Sequence, residues 1–475
     1  AITAGRQVRA SDDGLATFSD LVITGSVSDT ISVSFTVTYT RVSDNQVTTV
    51  SSSVSAITLT HGAAASIAMT NSATARSGIS FTSQPVVRIL DAFGNLVTTG
   101  AQSTQTVRLT ASGATLSGTA AISASAGVAT FSSIALEGLI GSKTLSAEVL
   151  TPATFSASNL VTLSFGNVSR LSLERQASGA ANRIAFTTQP QIALRDSAGN
   201  IVTGVAASIS IAVSPATTVS AGTVAVSTST GVATFTTSAI SGTIGSYTLS
   251  YSVTGASASS IASVSHAINL SHGTSTGLAM VQEPSHIRVG VTTSEIVIKV
   301  VDAEGNLVDT GNASSGSATI RIGAGSSIFV VGTTAVSFSA GIATFSNVAV
   351  TGWVQASMRL EFFSTPSVGS MTITAHLPMV AGLPHALRVS AGQPTSVSAG
   401  VTQSSAITIR LQDAWGNATS QSSAVSVTAN AVEALNNNVV RKVIGGFTIS
   451  ALTTQVNIAR ENLTLTEVGD YQFRF

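Results

Sequence analysis

The sequence predicts an all-β chain, a tandem array of antiparallel β-sandwiches, and three observations predict it. An acidic turn motif, Asp-x-x-Gly-Asn, recurs four times at near-constant spacing. A second motif, Gly-x-Ala-Thr-Phe, follows three of those turns in the same order. Between the motifs the apolar residues alternate with period two, and no window of eleven or more residues carries helical periodicity.

Composition limits what can be built. Of 475 residues, 137 are Ser or Thr, 44% are hydrophobic and 9% are charged, against roughly 25% charged in an average soluble protein. Short hydroxyl and β-branched side chains suit strands better than helices. The apolar share separates the chain from disordered Ser/Thr-rich sequences, which lack Val, Ile, Leu and Phe. Lys and Arg total 21, as do Asp and Glu, so no charge excess exists to capture nucleic acid or an anionic membrane. No apolar run reaches the roughly 18 residues that span a bilayer, and no membrane insertion is expected. The absence of cysteine removes disulfides and thiolate metal sites. Each sandwich of roughly 100 residues is then held by its core, which that size allows.

The turns are Asp91-Ala-Phe-Gly-Asn95, Asp196-Ser-Ala-Gly-Asn200, Asp302-Ala-Glu-Gly-Asn306 and Asp413-Ala-Trp-Gly-Asn417, at intervals of 105, 106 and 111 residues. Val86-Val-Arg-Ile-Leu90 leads into the first turn as a strand, and Val107-Arg-Leu-Thr-Ala111 follows it as a half-buried one. Gly-Asn after Asp supplies the positive-φ and side-chain-bonding residues of a tight turn. The second motif stands at Gly127, Gly231 and Gly341, and again at Gly14 with no acidic turn before it. Thr144-Leu-Ser-Ala-Glu148 reads as a later strand, reached through Gly138 and Gly141. Joints are marked by Leu59-Thr-His-Gly62, Leu163-Ser-Phe-Gly166 and Leu270-Ser-His-Gly273. Seven or so short strands in about 105 residues is the pattern of an immunoglobulin-like sandwich.

This order of motifs resembles the bacterial Ig-like repeats of invasin- and intimin-type adhesins, with a weaker similarity to filamin-type repeats. The resemblance covers nearly the whole chain, and it implies stalks, adhesins, and filament or surface-layer components. The predicted organisation is a partial domain at 1–62, holding the later half of a repeat, then repeats at 63–166, 167–273, 274–382 and 383–475, the last incomplete. In that fourth repeat Val456-Asn-Ile-Ala-Arg460 stands where the second motif would be.

Nothing in this pattern reads as catalytic, and no cofactor is expected. Calcium is the one metal to weigh, because the aspartates Asp91, Asp196, Asp302 and Asp413 are acidic and regularly placed. Calcium takes six to eight oxygens, usually with several carboxylates, whereas each turn offers one Asp and one Asn. Asx-turn bonding is the simpler account of these residues and of Asn95, Asn200, Asn306 and Asn417. His61 and His272 occupy matching joints and suggest packing between domains. Trp415 sits inside an acidic turn and Trp353 in a later Gly-rich turn, at positions whose counterparts vary, so contacts with a neighbouring domain or subunit are expected of both.

Outer faces made of Ser, Thr, Ala and Gly with no net charge lack the repulsion that keeps proteins apart. The expected role is therefore an extracellular structural subunit of a filament, sheath or surface layer, with copies of itself or other fibre subunits as partners. The alternative is an adhesin stalk, and a surface glycan is a further candidate partner.

Overall fold

The structure is a computed structural model. It describes residues 2–4, 14–27, 30–149, 154–220, 222–227, 229–254, 261–323, 327–365, 373–393, 396, 401, 406–420, 423–433, 440–449, 455–458 and 471–474. Residues 459 and 460 of the fourth-repeat segment named above lie outside the described residues. The chain is a tandem series of immunoglobulin-like antiparallel β-sandwiches. Helical structure among the described residues is confined to two 3-10 turns, Ala101–Thr104 and Asn312–Ser314.

The first repeat shows how the pattern becomes a sandwich. Its larger sheet runs Ala121–Ser123, Thr106–Ser112, Gly141–Val149, Phe155–Ser164 and Thr74–Arg76 in spatial order, and the facing sheet runs Val128–Thr130, Val86–Asp91 and Ala64–Thr70. Neighbours are antiparallel except the short Thr74–Arg76, which runs parallel to Phe155–Ser164. Alternation sets the faces: along Gly141–Val149, Leu145, Ala147 and Val149 are fully buried, while Glu148 turns outward to pair with Arg108. The chain is more broken than the seven predicted strands. Gly118, at φ +98°, separates the short strands Thr115–Ser117 and Ala121–Ser123, which join different sheets.

The second motif is now explained residue by residue. Gly127, Gly231 and Gly341 have φ of +80°, +68° and +75°, and a methyl group on any of them would overlap a backbone carbonyl, that of Val97, Val202 or Val308. Their own carbonyls accept the N–H of Ile89, Leu194 and Val300 across the sheet. The Ala and Phe that follow enter the core as Ala129 and Phe131, Ala233 and Phe235, and Ala343 and Phe345. Three separate apolar clusters result, centred on Phe131, on Phe235 with Tyr251, and on Phe345 with Phe362. Each lies within one period of the repeat.

Before the first repeat, the strands Thr30–Thr40 and Val47–Thr58 form a long hairpin. After the third, Ala386–Ala391, Ile407–Gln412 and Gln455–Ile458 form one sheet, and Val440–Ile449, Val425–Glu433 and Tyr471–Arg474 another.

Candidate functional site at the joints between repeats

Each acidic turn begins where a strand ends. Asp91 closes Val86–Asp91 and Asp302 closes Ile296–Asp302. The turn is closed by its backbone: the N–H of Asp91, Asp196, Asp302 and Asp413 donates to the carbonyl of the Asn four residues on, at 2.9 to 3.0 Å. The glycine between them sits at positive φ each time, +83°, +95°, +80° and +88°. One carboxylate oxygen, Oδ1, accepts the backbone N–H of Asn95, Asn200, Asn306 or Asn417 at 2.8 to 3.0 Å. At three turns it also accepts the N–H two residues on, from Phe93, Glu304 or Trp415.

The other oxygen leaves the turn. Oδ2 of Asp91, Asp196, Asp302 and Asp413 accepts the N–H of Gly62, Gly166, Gly273 and Gly382, the glycines that mark the joints, at 2.8 to 2.9 Å. It also accepts the side-chain amide of the turn's own Asn.

The asparagine then reaches back into the preceding repeat. Oδ1 of Asn95, Asn200, Asn306 and Asn417 accepts the N–H of Val27, Ile140, Ile244 and Val354 at 2.8 to 3.1 Å. Nδ2 donates to the carbonyls of Gly25, Gly138, Gly242 and Gly352 at 2.9 to 3.2 Å. One planar amide thus clasps a three-residue Gly-x-Val or Gly-x-Ile segment by both of its ends. These partners also fix the amide's orientation, because a flip would set NH2 against N–H and oxygen against two oxygens.

Electrostatics follow from the donors. Burial works to raise the Asp91 carboxyl, but the N–H groups of Gly62, the Asn95 side chain, the Asn95 backbone and Phe93 overcome it and hold the carboxyl at about 2. Asp196 and Asp302 are also shifted down. Burial again opposes, and the donors are Gly166, Asn200 and Gly199 in one case, and Gly273, Asn306 and Glu304 in the other. A carboxylate ringed by N–H dipoles stays ionised without a cation beside it.

Glycine at the joint is a steric requirement in three cases. A methyl on Gly166, Gly273 or Gly382 would overlap the carbonyl of Ser77, Asn182 or Val289. At Gly62 the same methyl would make an ordinary contact with Asp91, at 3.7 Å. His61 and His272 are used alike. Nδ1 lies 2.9 Å from the carbonyl of the following glycine, and Nε2 lies 2.9 and 2.7 Å from the hydroxyls of Thr99 and Thr310. Asp309 adds a carboxylate 3.3 Å from His272 alone.

The two tryptophans meet at one joint. Trp415, from the fourth repeat's turn, packs against the third repeat's core with its ring over Gly290. Trp353, from the third repeat, is 59% exposed and lies over Gly416 of the same turn.

The structure therefore brings together Asp91 with Asn95, Asp196 with Asn200, Asp302 with Asn306 and Asp413 with Asn417, each pair with its joint glycine. Sequence reasoning missed the receiving segments, which lie 62 to 70 residues upstream of the asparagines. A signal for them does exist: Gly25-Ser-Val27, Gly138-Leu-Ile140, Gly242-Thr-Ile244 and Gly352-Trp-Val354 share Gly-x-Val/Ile at a regular distance before each turn.

No family model matches the chain, and no curated protein sequence does. Solved structures do. The Escherichia coli adhesin FdeC is 16% identical over 68% of this chain and 100% of its own, with a TM-score of 0.28. Domains 1–6 of the surface layer protein SbsC are 14% identical over 98% of this chain and 61% of theirs, at 0.21. Extracellular cadherin domains 1–5 of protocadherin gamma B2 are 11% identical over 91% and 81%, at 0.28. At these identities the likeness is one of fold and says nothing of what this chain binds. Among the described residues no helix is long and apolar enough to cross a membrane.

Proposed function

We propose that this chain is a non-catalytic structural component of an extracellular filament, sheath or surface layer. It is assembled from units at 63–166, 167–273, 274–382 and 383–475, preceded by a partial unit at 1–62. The observation that supports the reading is the joint itself. The same aspartate, asparagine and upstream Gly-x-Val/Ile segment are bonded through the same atoms at four successive positions. Few conformations satisfy all these bonds together, so the joints hold neighbouring units in fixed orientation rather than acting as free linkers. A chain of latched sandwiches transmits force and sets spacing.

Calcium is not part of this reading. A Ca²⁺ ion takes six to eight oxygens at about 2.3–2.6 Å. Here both oxygens of each joint aspartate already accept N–H donors, and among the described residues no three His, Asp or Glu side chains stand close enough to share an ion. The joint aspartates do not fit a calcium site.

A structural polymer is favoured over an adhesin stalk by what lies near the joints. Leu139, Ile140, Trp353 and Phe329 are each 58% or more exposed. Apolar side chains repeated along a rod suit lateral packing of copies, and a stalk standing alone in water gains nothing from them. Negative-stain electron microscopy of the purified chain over a concentration series tests this reading. Ordered filaments or sheets with an axial repeat that accommodates the units support it. Isolated straight rods at every concentration overturn it in favour of the stalk.

A further inference from the structure

The shared part of the latch is the same at every joint, although Asn182 adds an amide bond to Asp302 Oδ2 at the joint between the second and third repeats. An aspartate, an asparagine and two backbone groups cannot tell one repeat from another, in the same chain or in a second copy. Repeat proteins with interchangeable interfaces are prone to docking in the wrong order. Specificity then needs an element that penalises the wrong neighbour.

One position beside the latch varies with its partner. Gly78, Arg183 and Gly290 are structurally equivalent: their N–H groups donate to Leu136, Ile240 and Val350 at 2.8, 3.1 and 2.7 Å, and their φ angles are +71°, +60° and +71°. Each faces the next repeat's acidic turn, and each meets something different there. Gly78 faces Ser197, whose Oγ would lie 3.7 Å from a Cβ at that position, in the turn that carries the small Ala198. Arg183 forms an ion pair with Glu304, with Nε 2.7 Å from Oε1. Gly290 lies under the Trp415 ring, which fills the space a side chain would need. Ala198, Glu304 and Trp415 are all the third residue of their turns.

We propose that Gly78 with the small Ser197-Ala198 pair, Arg183 with Glu304, and Gly290 with Trp415 form a private key at each of the three joints between the four full repeats, so that a repeat docks on its own predecessor and not on a like repeat of this chain or of a second copy. The mismatches are physical. Arg183 facing a tryptophan would overlap the ring. Gly78 facing a glutamate would leave a carboxylate unpaired, and Gly290 facing alanine would leave the ring's space empty. Trp353 over Gly416 adds a second, reciprocal contact to the third key. The key works in the same way in a filament subunit and in a stalk.

A key exchange in the full chain tests the proposal. G290R, W415E and the pair G290R/W415E install, between the third and fourth repeats, the key found between the second and third. Arg183 already occupies the equivalent positive-φ position, so the backbone accepts the replacement. Hydrogen exchange of Gly382 and Val354, the amides bonded to Asp413 and Asn417, reads the joint, and that of Val300 reads the core. Each single variant is expected to speed joint exchange about 10-fold with Val300 unchanged, and the pair to return to within about 3-fold of the parent chain. Exchange in the pair equal to the product of the two singles overturns the key, as do singles that leave the joint unchanged. Should either single variant unfold the third repeat, R183G, E304W and their pair repeat the test between the second and third repeats, read at Gly273 and Ile244.

Discussion

Replacing Asn200 with Asp changes one NH2 group for an oxygen and nothing else in the shape of the joint. The consequence can be worked from its neighbours. Nδ2 of Asn200 donates to Gly138 O and to Asp196 Oδ2, both at 2.9 Å. In the variant both contacts become oxygen against oxygen, and the second sets two carboxylates about 3 Å apart. At the effective dielectric of about 20 suited to such sites, unlike a dry interior, two charges at that distance repel by about 5 kcal/mol. The pair escapes part of this by taking up a proton, as closely spaced carboxylates do. A net cost of about 3 kcal/mol at neutral pH remains, which is on the order of 100-fold in the opening of the joint. Hydrogen exchange of the Ile140 and Gly166 amides, which bond Asn200 Oδ1 and Asp196 Oδ2, measures that opening directly. Protection should fall about 100-fold at pH 7 and recover toward pH 4 as one proton bridges the pair, with core amides such as Leu194 unaffected. Protection within 2-fold of the parent chain at pH 7 would refute the latch as described, and so would a loss that does not recover in acid.

Other outcomes follow from the same geometry. Asp91, held at about 2 when folded against about 3.9 when free, contributes stability that is present above pH 4 and lost as pH falls towards 2. A shift of that size is worth on the order of 2 kcal/mol, and small-angle scattering between pH 5 and 2 should show the rod loosening at its joints before the cores unfold. Gly273→Ala should disrupt its joint because the methyl overlaps Asn182, whereas Gly62→Ala should be nearly silent; protection of the two aspartate-bonded amides distinguishes them. Chelation with EGTA should change neither melting temperature nor scattering, since both oxygens of each joint aspartate already accept N–H donors and, among the described residues, no three His, Asp or Glu side chains stand close enough to share an ion. A shift of several degrees would show that the joints hold a cation.

Much of the fold is legible because its signals are local. Strand alternation in Gly141–Val149 reports which side chains are buried, and the glycine of the second motif announces a positive φ that only a turn requires. The acidic turn is legible for the same reason: Asp91 bonds the backbone of Phe93 and Asn95, two and four residues away. What escapes is the asparagine's second set of partners. Gly138 O and Ile140 N are backbone groups that nearly every residue offers, and the Gly-x-Val/Ile pattern that marks them is too short to stand out until the asparagine's partners are known.

The sequence by itself determined a tandem all-β chain with motifs recurring about every 105 residues, its turns and its low charge. Only the tertiary structure decided that the turns are joints. Oδ1 of each aspartate serves the turn it belongs to, while Oδ2 and the asparagine amide serve chain segments elsewhere. It also decided that Arg183 faces Glu304 across 121 residues and that Trp415 lies over Gly290. The physical reason is that periodicity and turn chemistry are short-range properties of the chain, whereas a contact between units depends on how two finished sandwiches meet.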